Sequence, residues 1–353
     1  MPDISLAGTA IKGIACAVPL NRRTLEEVTQ LAGAEETAKI LQNSGVRSRR
    51  VARPGVCASD LSFAAAQALL GNLGWDPATI EALVLVSQSF DYPAPATSCI
   101  LQARLGLPKS CAAFDVASGC SGYVYGLWIA TGLIAGGCRR VLLLAGDLSS
   151  RFASPFDRAT MPLFGDAGSA TALERDSSGL MHFTLGTDGT GHQHLIMRSG
   201  GAWSRLPRSA KTMIRTKQPD GVVRSDEDLY MNGKESFAFT LREVPPMIAS
   251  VLKRSQWDKN QVDAYYFHQV NRFILDYLAK RMGLPLDKVP IVLEHFGNTS
   301  SASIPLAMTH WGRERLTARK QRVVLAGFGV GYSWAATALE LGPIVMPPLE
   351  EVP

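Results

Sequence analysis

No CxxC pair occurs among the six cysteines (Cys16, Cys57, Cys99, Cys111, Cys120 and Cys138), and no Cys/His cluster has zinc-ligand spacing. A zinc scaffold is therefore not expected. In a chain of 353 residues these cysteines read as reduced thiols, with Cys16, Cys99, Cys111 and Cys138 as small core residues. Excess charge is also scarce: 36 Lys+Arg against 31 Asp+Glu leaves +5. That is too little for a protein that coats nucleic acid, although it suits an acidic partner. Uninterrupted apolar runs are missing as well. The longest uncharged stretch, Val116 to Gly137, is broken by glycine and serine and followed at once by a basic strand pattern, so it reads as a buried central helix. Met1-Pro2-Asp3 lacks a basic n-region, so no signal peptide is expected. Gly and Pro show no collagen period, and 46% hydrophobic residues exclude a disordered chain. These absences lead to the expectation of a soluble cytoplasmic protein that binds neither membrane nor nucleic acid.

What is present is an internal repeat. Trp75-Asp76 with Ile80-Glu81-Ala82 returns as Trp257-Asp258 with Val262-Asp263-Ala264, at an offset of 182. Arg140-Val141-Leu142-Leu143 returns at the same offset as Arg322-Val323-Val324-Leu325. Between them Arg104-Leu105-Gly106-Leu107-Pro108 echoes Arg281-Met282-Gly283-Leu284-Pro285 at offset 177. Compensating insertions in the two halves reconcile the offsets. Apolar runs such as Ala82 to Val86 and Val323 to Ala326 read as strands, whereas Leu61 to Leu73 and Phe273 to Met282 have helical periodicity. The alternation predicts an α/β protein of two duplicated halves, 1–186 and 187–353, built from βαβ units with buried parallel strands. Its site belongs in the cleft where the carboxyl ends of both sets of strands meet.

Three segments carry candidate chemistry. In Phe114-Asp115-Val116-Ala117-Ser118-Gly119-Cys120-Ser121-Gly122 a strand pattern ends and a helix, Tyr123 to Ala135, begins. Cys120 thus sits on a Gly-flanked turn at a helix N-terminus, where unpaired N–H groups favour a thiolate and could hold an oxyanion. Taken alone it reads equally as a small core residue. His268 ends the strand pattern Tyr265-Tyr266-Phe267, and Asn298 lies in the turn Gly297-Asn298-Thr299-Ser300-Ser301-Ala302-Ser303, before a helix ending near Trp311. Alone, these two read as a structural histidine and a cap or turn residue. The 182 offset makes Ala302 the counterpart of Cys120, which places Asn298 across the pseudo-twofold axis from the thiol.

With these segments in view, the sequence resembles the β-ketoacyl-acyl-carrier-protein synthase III family of the thiolase superfamily, from Gly45-Val46-Arg47 through Gly331-Tyr332-Ser333-Trp334. The most specific pieces are the Cys120 turn, Asp157-Arg158-Ala159-Thr160, Leu163-Phe164-Gly165-Asp166-Ala167-Gly168, His268-Gln269-Val270-Asn271 and Gly297-Asn298-Thr299-Ser300, with Met231-Asn232-Gly233-Lys234-Glu235 ahead of the second half. The resemblance implies a thiolase-like five-layered αβαβα fold, a homodimer and a catalytic triad of Cys120, His268 and Asn298. It implies decarboxylative Claisen condensation through an acyl-Cys120 intermediate. The acyl group comes from acyl-CoA or an acyl-carrier protein, and the extender is malonyl-carrier protein or malonyl-CoA. CoA and phosphopantetheine thioesters are then substrates, with no bound cofactor and no metal.

By the same resemblance, Ala326-Gly327-Phe328-Gly329-Val330-Gly331 is the family's Gly-rich loop. It brings the Val330 N–H beside that of Cys120 as an oxyanion hole, and Phe328 and Gly329 beside substrate. Arg158 would stack on adenine, and Asn271 and Arg272 would contact substrate. Four departures bear on this. Val330 replaces the usual Gly or Ala, and Ala94 replaces a bulky residue that the partner subunit contributes to the acyl pocket. Lys39 and Asn43 cannot provide the adenine stack, and the arginine after Asn271 is shifted to Arg272. From Leu195 to Arg224 seven basic residues (Arg198, Arg205, Arg208, Lys211, Arg215, Lys217, Arg224) face one acid, Asp220. The stretch reads as a solvated face or as a lid and docking surface for phosphopantetheine or an acidic carrier protein. Competing readings are acyl transfer to another acceptor without decarboxylation, and a non-catalytic partner subunit of the same fold. A biosynthetic thiolase would need a second cysteine in the Gly-rich loop, and a papain-like protease a cysteine near its N-terminus.

Overall fold

The computed structural model describes residues 3–200, 206 and 208–353; Met1, Pro2 and Arg205 lie outside the described residues. The principal strands are β1 (Asp3–Pro19), β2 (Ala82–Ser87), β3 (Ala112–Ala117), β4 (Arg140–Leu148), β5 (Asp166–Thr187), β6 (Ala264–Phe267), β7 (Gln321–Gly329), β8 (Ser333–Leu341) and β9 (Glu350–Val352). The principal helices are α1 (Glu26–Ser44), α2 (Ala58–Leu73), α3 (Thr97–Arg104), α4 (Gly122–Ala135), α5 (Gly233–Ser255), α6 (Arg272–Met282) and α7 (Ser303–Trp311).

Hydrogen bonding runs in the order β6-β7-β8-β5-β4-β2-β3, with β1 along β5 and β9 along β1. The long strand β5 joins two arms: its first part pairs with β4 and its last part with β8. The pairs β2–β3, β2–β4 and β6–β7 are parallel, as the βαβ pattern predicts. The sheet as a whole is mixed, because β4–β5, β5–β8 and β7–β8 are antiparallel. Only Val330, Gly331 and Tyr332 separate β7 from β8. Three residues cannot hold the crossover that parallel pairing requires.

Side-chain alternation sorts the arms into layers. Leu83, Leu85, Leu142 and Leu144 face outward against Leu61, Ala65 and Leu69 of α2 and Leu101 of α3. Their neighbours Val84, Val86, Val141 and Leu143 face inward, together with Tyr266, Val323 and Leu325 of the other arm. Between these inner faces lie α4 and α7, through Tyr123, Leu127, Ile134, Ile304 and Met308. On the far side Tyr265, Phe267, Val324 and Ala326 meet Phe239 and Met247 of α5 and Leu275 and Leu278 of α6. Strands β2, β4, β6 and β7 are thus buried on both faces, and a fully buried Leu or Val contributes about 1.5–3 kcal/mol. The uncharged stretch after Val116 forms α4, in the middle layer. Among the described residues no helix is long and apolar enough to cross a membrane.

The offset of 182 recurs in three dimensions: β2 begins at Ala82 and β6 at Ala264. The expected boundary between 186 and 187 falls at the end of β5. One element has no strand partner. The counterpart of β3 is a helical turn, Leu293–Phe296, followed by Asn298, which bridges to Phe164 of the first half. All six thiols are free, and one expectation about them fails. Cys16 and Cys111 are buried and Cys138 half-buried, but Cys99 is exposed. α3 buries Thr97, Ser98 and Leu101, and Cys99, two positions from Leu101, points away from that face.

Candidate active site

The turn after β3 carries Cys120 two residues before α4. Its glycines are steric requirements. A Cβ on Gly122 would stand 2.5 Å from Val86 Cγ1, and one on Gly119 would collide with Gln88 Oε1 and approach Val330 Cγ1 to 3.0 Å. The end of β7 crosses the same turn: a Cβ on Gly327 would lie 2.6 Å from the Cys120 carbonyl oxygen, and one on Gly329 2.7 Å from Cys120 Sγ. The Gly-rich loop and the cysteine turn therefore touch backbone to backbone, and any side chain at Gly329 would occupy the space of the sulfur.

The expectation of an easily ionised thiol is overturned. Burial pushes the Cys120 thiol up to about 11, and the negative charge of Asp147 acts in the same direction. Hydrogen bonds from the Val330 backbone, the Cys120 backbone and the Ser300 hydroxyl oppose this without cancelling it. Desolvation outweighs the helix terminus. The N–H groups expected at an oxyanion hole are nonetheless directed at the sulfur.

His268 follows β6, its N–H donating to the Ala326 carbonyl at 2.8 Å and extending the parallel ladder by one residue. Its ring is 1% exposed, and Nδ1 lies 2.7 Å from Ser303 Oγ. Burial pushes its pKa down to about 3, against a backbone hydrogen bond with Ser300 that favours the cation. The imidazole is neutral at ordinary pH and can accept or donate a proton.

Asn298 is clamped by the first half: its N–H donates to the Leu163 carbonyl (2.8 Å) and its carbonyl accepts from Gly165 N–H (3.1 Å). A Cβ on Gly165 would collide with the Phe296 carbonyl oxygen, and one on Gly297, at φ 72°, would lie 2.7 Å from the Leu163 carbonyl oxygen. Asn298 Oδ1 accepts from the Ser300 N–H at 2.9 Å. With the oxygen so held, the NH2 of the carboxamide is the group left to donate to a ligand.

Cys120, His268 and Asn298 line one cavity of about 490 Å3, as do Asn271, Phe328, Gly329 and Val330. Phe164, Leu229, Met231, Phe239 and Tyr332 make much of its wall apolar. Asn271 caps α6, its Oδ1 accepting from Ile274 N–H at 2.8 Å. Other candidates lie outside this cavity. Arg158 and Ala94 are exposed on the surface. Arg272 stands against Gly45 with its guanidinium 3.8 Å from Glu294. Lys39 pairs with Glu35 at 3.0 Å in the open, and Asn43 is exposed.

Three arginines of the basic stretch are paired with acids. Arg208 pairs with Glu227 at 2.7 Å, Arg215 with Asp228 at 2.8 Å and Arg224 with Asp220 at 2.7 Å. Two of these acids follow Arg224 by three and four residues, just beyond the stretch whose charge appeared one-sided. Its opening residues Leu195, Ile196 and Met197 line the cavity, as a lid would.

Sequence reasoning missed Asp147, Ser300 and Ser303. Asp147, the penultimate residue of β4, is fully buried and ties the halves together. It accepts from Gln88 N–H (2.7 Å) on one side and from Ser301 N–H (3.1 Å) and Ser301 Oγ (2.7 Å) on the other. Burial pushes its pKa up, opposed by these bonds. An acid at the end of an apolar strand, in Ala145-Gly146-Asp147, was the available signal.

Five alternating layers with a reactive-residue cleft at the strand ends define a thiolase-fold enzyme. The crystal structure of a 3-oxoacyl-(acyl-carrier-protein) synthase from Burkholderia xenovorans shares 40% identity over 99% of both chains, with a TM-score of 0.93. That of the priming β-ketosynthase from the R1128 polyketide pathway shares 28% identity over 95% of this chain and 97% of that one, with a TM-score of 0.81. Models of 3-oxoacyl-[acyl-carrier-protein] synthase III match residues 114–189, and those of its C-terminal part match 252–341. The β-ketoacyl-[acyl-carrier-protein] synthase III of Nostoc sp. is 35% identical over 95% of this chain and 98% of its own. The chain belongs to the β-ketoacyl-acyl-carrier-protein synthase III family.

Proposed function

We propose that the protein catalyses decarboxylative Claisen condensation of an acyl thioester with a malonyl thioester in the cytoplasm. The observation that carries this is one cavity lined by a cysteine, a neutral histidine and an asparagine whose oxygen is already engaged. In the first half-reaction Cys120 sulfur bonds to the acyl carbon, the thiol of CoA or of a carrier-protein phosphopantetheine leaves, and the Cys120 proton passes through His268. The carbonyl oxygen gains charge facing the N–H groups of Cys120 and Val330. In the second, the malonyl thioester loses CO2, and the resulting carbanion bonds to the acyl carbon as the Cys120 thiolate departs. His268 and Asn298 donate to the thioester oxygen as it becomes an enolate, and losing one such donor costs about 2.7–4 kcal/mol. The product is a β-ketoacyl thioester. The relatives named above for acyl-carrier-protein chemistry support a malonyl-carrier protein as the extender.

A homodimer completes this reading. β3 is an edge strand whose residues are at least partly exposed, and Tyr125, Trp128, Ile129 and Leu133 of α4 lie partly uncovered beside it. An unpaired edge with apolar flanks suits a second copy of the chain. Ala94, exposed in the single chain, can then reach the partner's acyl pocket.

The test combines acyl-CoA and malonyl thioester, with CO2 release and intact-protein mass spectrometry as readouts. Cys120→Ala abolishes acyl loading, whereas His268→Ala and Asn298→Ala retain loading and lose condensation. Acyl adducts of normal amount on Cys120→Ala, or CO2 release without an adduct on the unaltered protein, would falsify the proposal.

A further inference from the structure

Ser149 directly follows β4, two residues beyond Asp147, and lines the cavity that holds Cys120. It is 1% exposed, and its Oγ has no hydrogen-bond partner in the protein. Among the described residues it is the one cavity-lining residue with a buried side-chain oxygen or nitrogen left unpartnered. The next hydroxyl shows the contrast, since Ser150 Oγ donates to Asp166 Oδ2 at 2.7 Å. The backbone is fixed on both sides of Ser149. Leu148 N–H donates to Ser89 Oγ at 3.0 Å, Ser150 N–H to Asp166 Oδ1 at 2.9 Å, and the Ser149 carbonyl accepts from Phe152 N–H at 3.2 Å. The Phe152 carbonyl in turn accepts from Leu229 N–H at 2.7 Å, which brings both of these apolar residues into the same wall. A hydroxyl held still and left unsatisfied beside such a wall is costly unless a ligand completes it.

We propose that Ser149 Oγ recognises an oxygen function on the acyl chain, so that the acyl substrate is a hydroxy- or oxo-substituted thioester. The inference rests on the reading of Cys120 as the acylated residue. A serine hydroxyl can donate to a keto oxygen, and can either donate to or accept from a hydroxyl. A plain alkyl chain in the same space leaves Oγ unsatisfied, whereas a chain oxygen satisfies it and is itself satisfied as both lose water. A site with a buried hydrogen-bonding group discriminates against an analogue that lacks the matching oxygen for this reason. The preference is separable from the bond-making groups, because Ser149 Oγ bonds to none of Cys120, His268 and Asn298.

The test uses the full chain and its Ser149→Ala and Ser149→Thr variants, with adducts on Cys120 read by peptide mass spectrometry. Hydroxyacyl-CoA from hydroxybutyryl to hydroxyoctanoyl, with the hydroxyl moved along the chain, competes with the unsubstituted acyl-CoA of the same length. In a second series, hydroxyalkyl and alkyl methanethiosulfonates of matched length compete. These form a disulfide with the thiol, expel methanesulfinate and a proton, and need no acyl-transfer activity. For at least one hydroxyl position the ratio of substituted to plain adduct should fall about fivefold or more in Ser149→Ala, in both series. Ser149→Thr, which keeps a hydroxyl, should retain the ratio. A smaller fall in Ser149→Ala at every position in both series would overturn the proposal. So would an equal fall in Ser149→Thr, because shape rather than the hydroxyl would then set the preference. Absence of acyl adducts in every protein, with the fall still seen in the alkyl series, would refute the acyl-enzyme reading and leave the role of Ser149 standing.

Discussion

Carbamidomethylation of Cys120 as a function of pH tests the most consequential electrostatic feature of the site. Burial holds this thiol at about 11, so at about pH 7 only about one molecule in 10,000 carries the thiolate. An unperturbed thiol near 8.5 would be about 3% ionised, so Cys120 should react with iodoacetamide roughly 300-fold more slowly. Its rate should climb about tenfold per pH unit and level off only near 11. Peptide mapping by mass spectrometry reads it separately, with exposed Cys99 in the same digest reporting reagent delivery. Asp147→Asn removes a negative charge that disfavours the thiolate and should move the profile to lower pH. A plateau below about pH 9 would refute the reasoning, because it would mean that the helix terminus and the N–H groups outweigh desolvation. In the mechanism proposed above a protonated thiol needs a base during acylation, the role given there to His268, which lines the same cavity and is neutral down to about pH 3.

Two further outcomes follow. His268 has its folded pKa below the ordinary histidine value. Its contribution to stability is therefore complete above about 6.5 and lost as pH falls toward about 3, at about 1.4 kcal/mol per pH unit. Urea unfolding at about pH 7.5, 6 and 5 should show the stability difference between the unaltered protein and His268→Gln shrinking by that slope below about pH 6.5, and a constant difference would contradict it. Gly165→Ala forces a methyl group onto the Phe296 carbonyl where the halves meet. It should cost about 1–3 kcal/mol in thermal or chemical unfolding and depress condensation more than acyl loading, because Asn298 hangs from the same junction.

The strand–turn–helix around Cys120 was legible because a β-period run gives way to a helical period across two glycines within ten residues. The position of His268 was legible for a similar reason, as the polar end of the buried run Ala264–Phe267. Asn298 was legible only through the repeat, and the repeat also misleads there. The counterpart of β3 is not a strand, since this segment bonds instead to Leu163 and Gly165 of the other half. The charge of the stretch from Leu195 to Arg224 was misjudged because two of its acidic partners lie in the next few residues, and ion pairs respect space rather than windows of sequence. Asp147 escaped notice because its partners, Gln88 and Ser301, are 59 and 154 residues away.

The amino-acid order by itself settled the α/β class, the doubled architecture and the three residues that share the cavity. Those follow from apolar periodicity, from glycines at a turn and from the matched spacing of two halves, all of which act over short stretches or repeat at a constant interval. Tertiary structure alone decided that burial raises the Cys120 thiol, that Arg208, Arg215 and Arg224 are already paired, and that Asp147 ties Gln88 to Ser301. Desolvation, ion pairing and the shape of empty space depend on which distant side chains arrive at the same point, and that is settled only when the sheets and helices close around it.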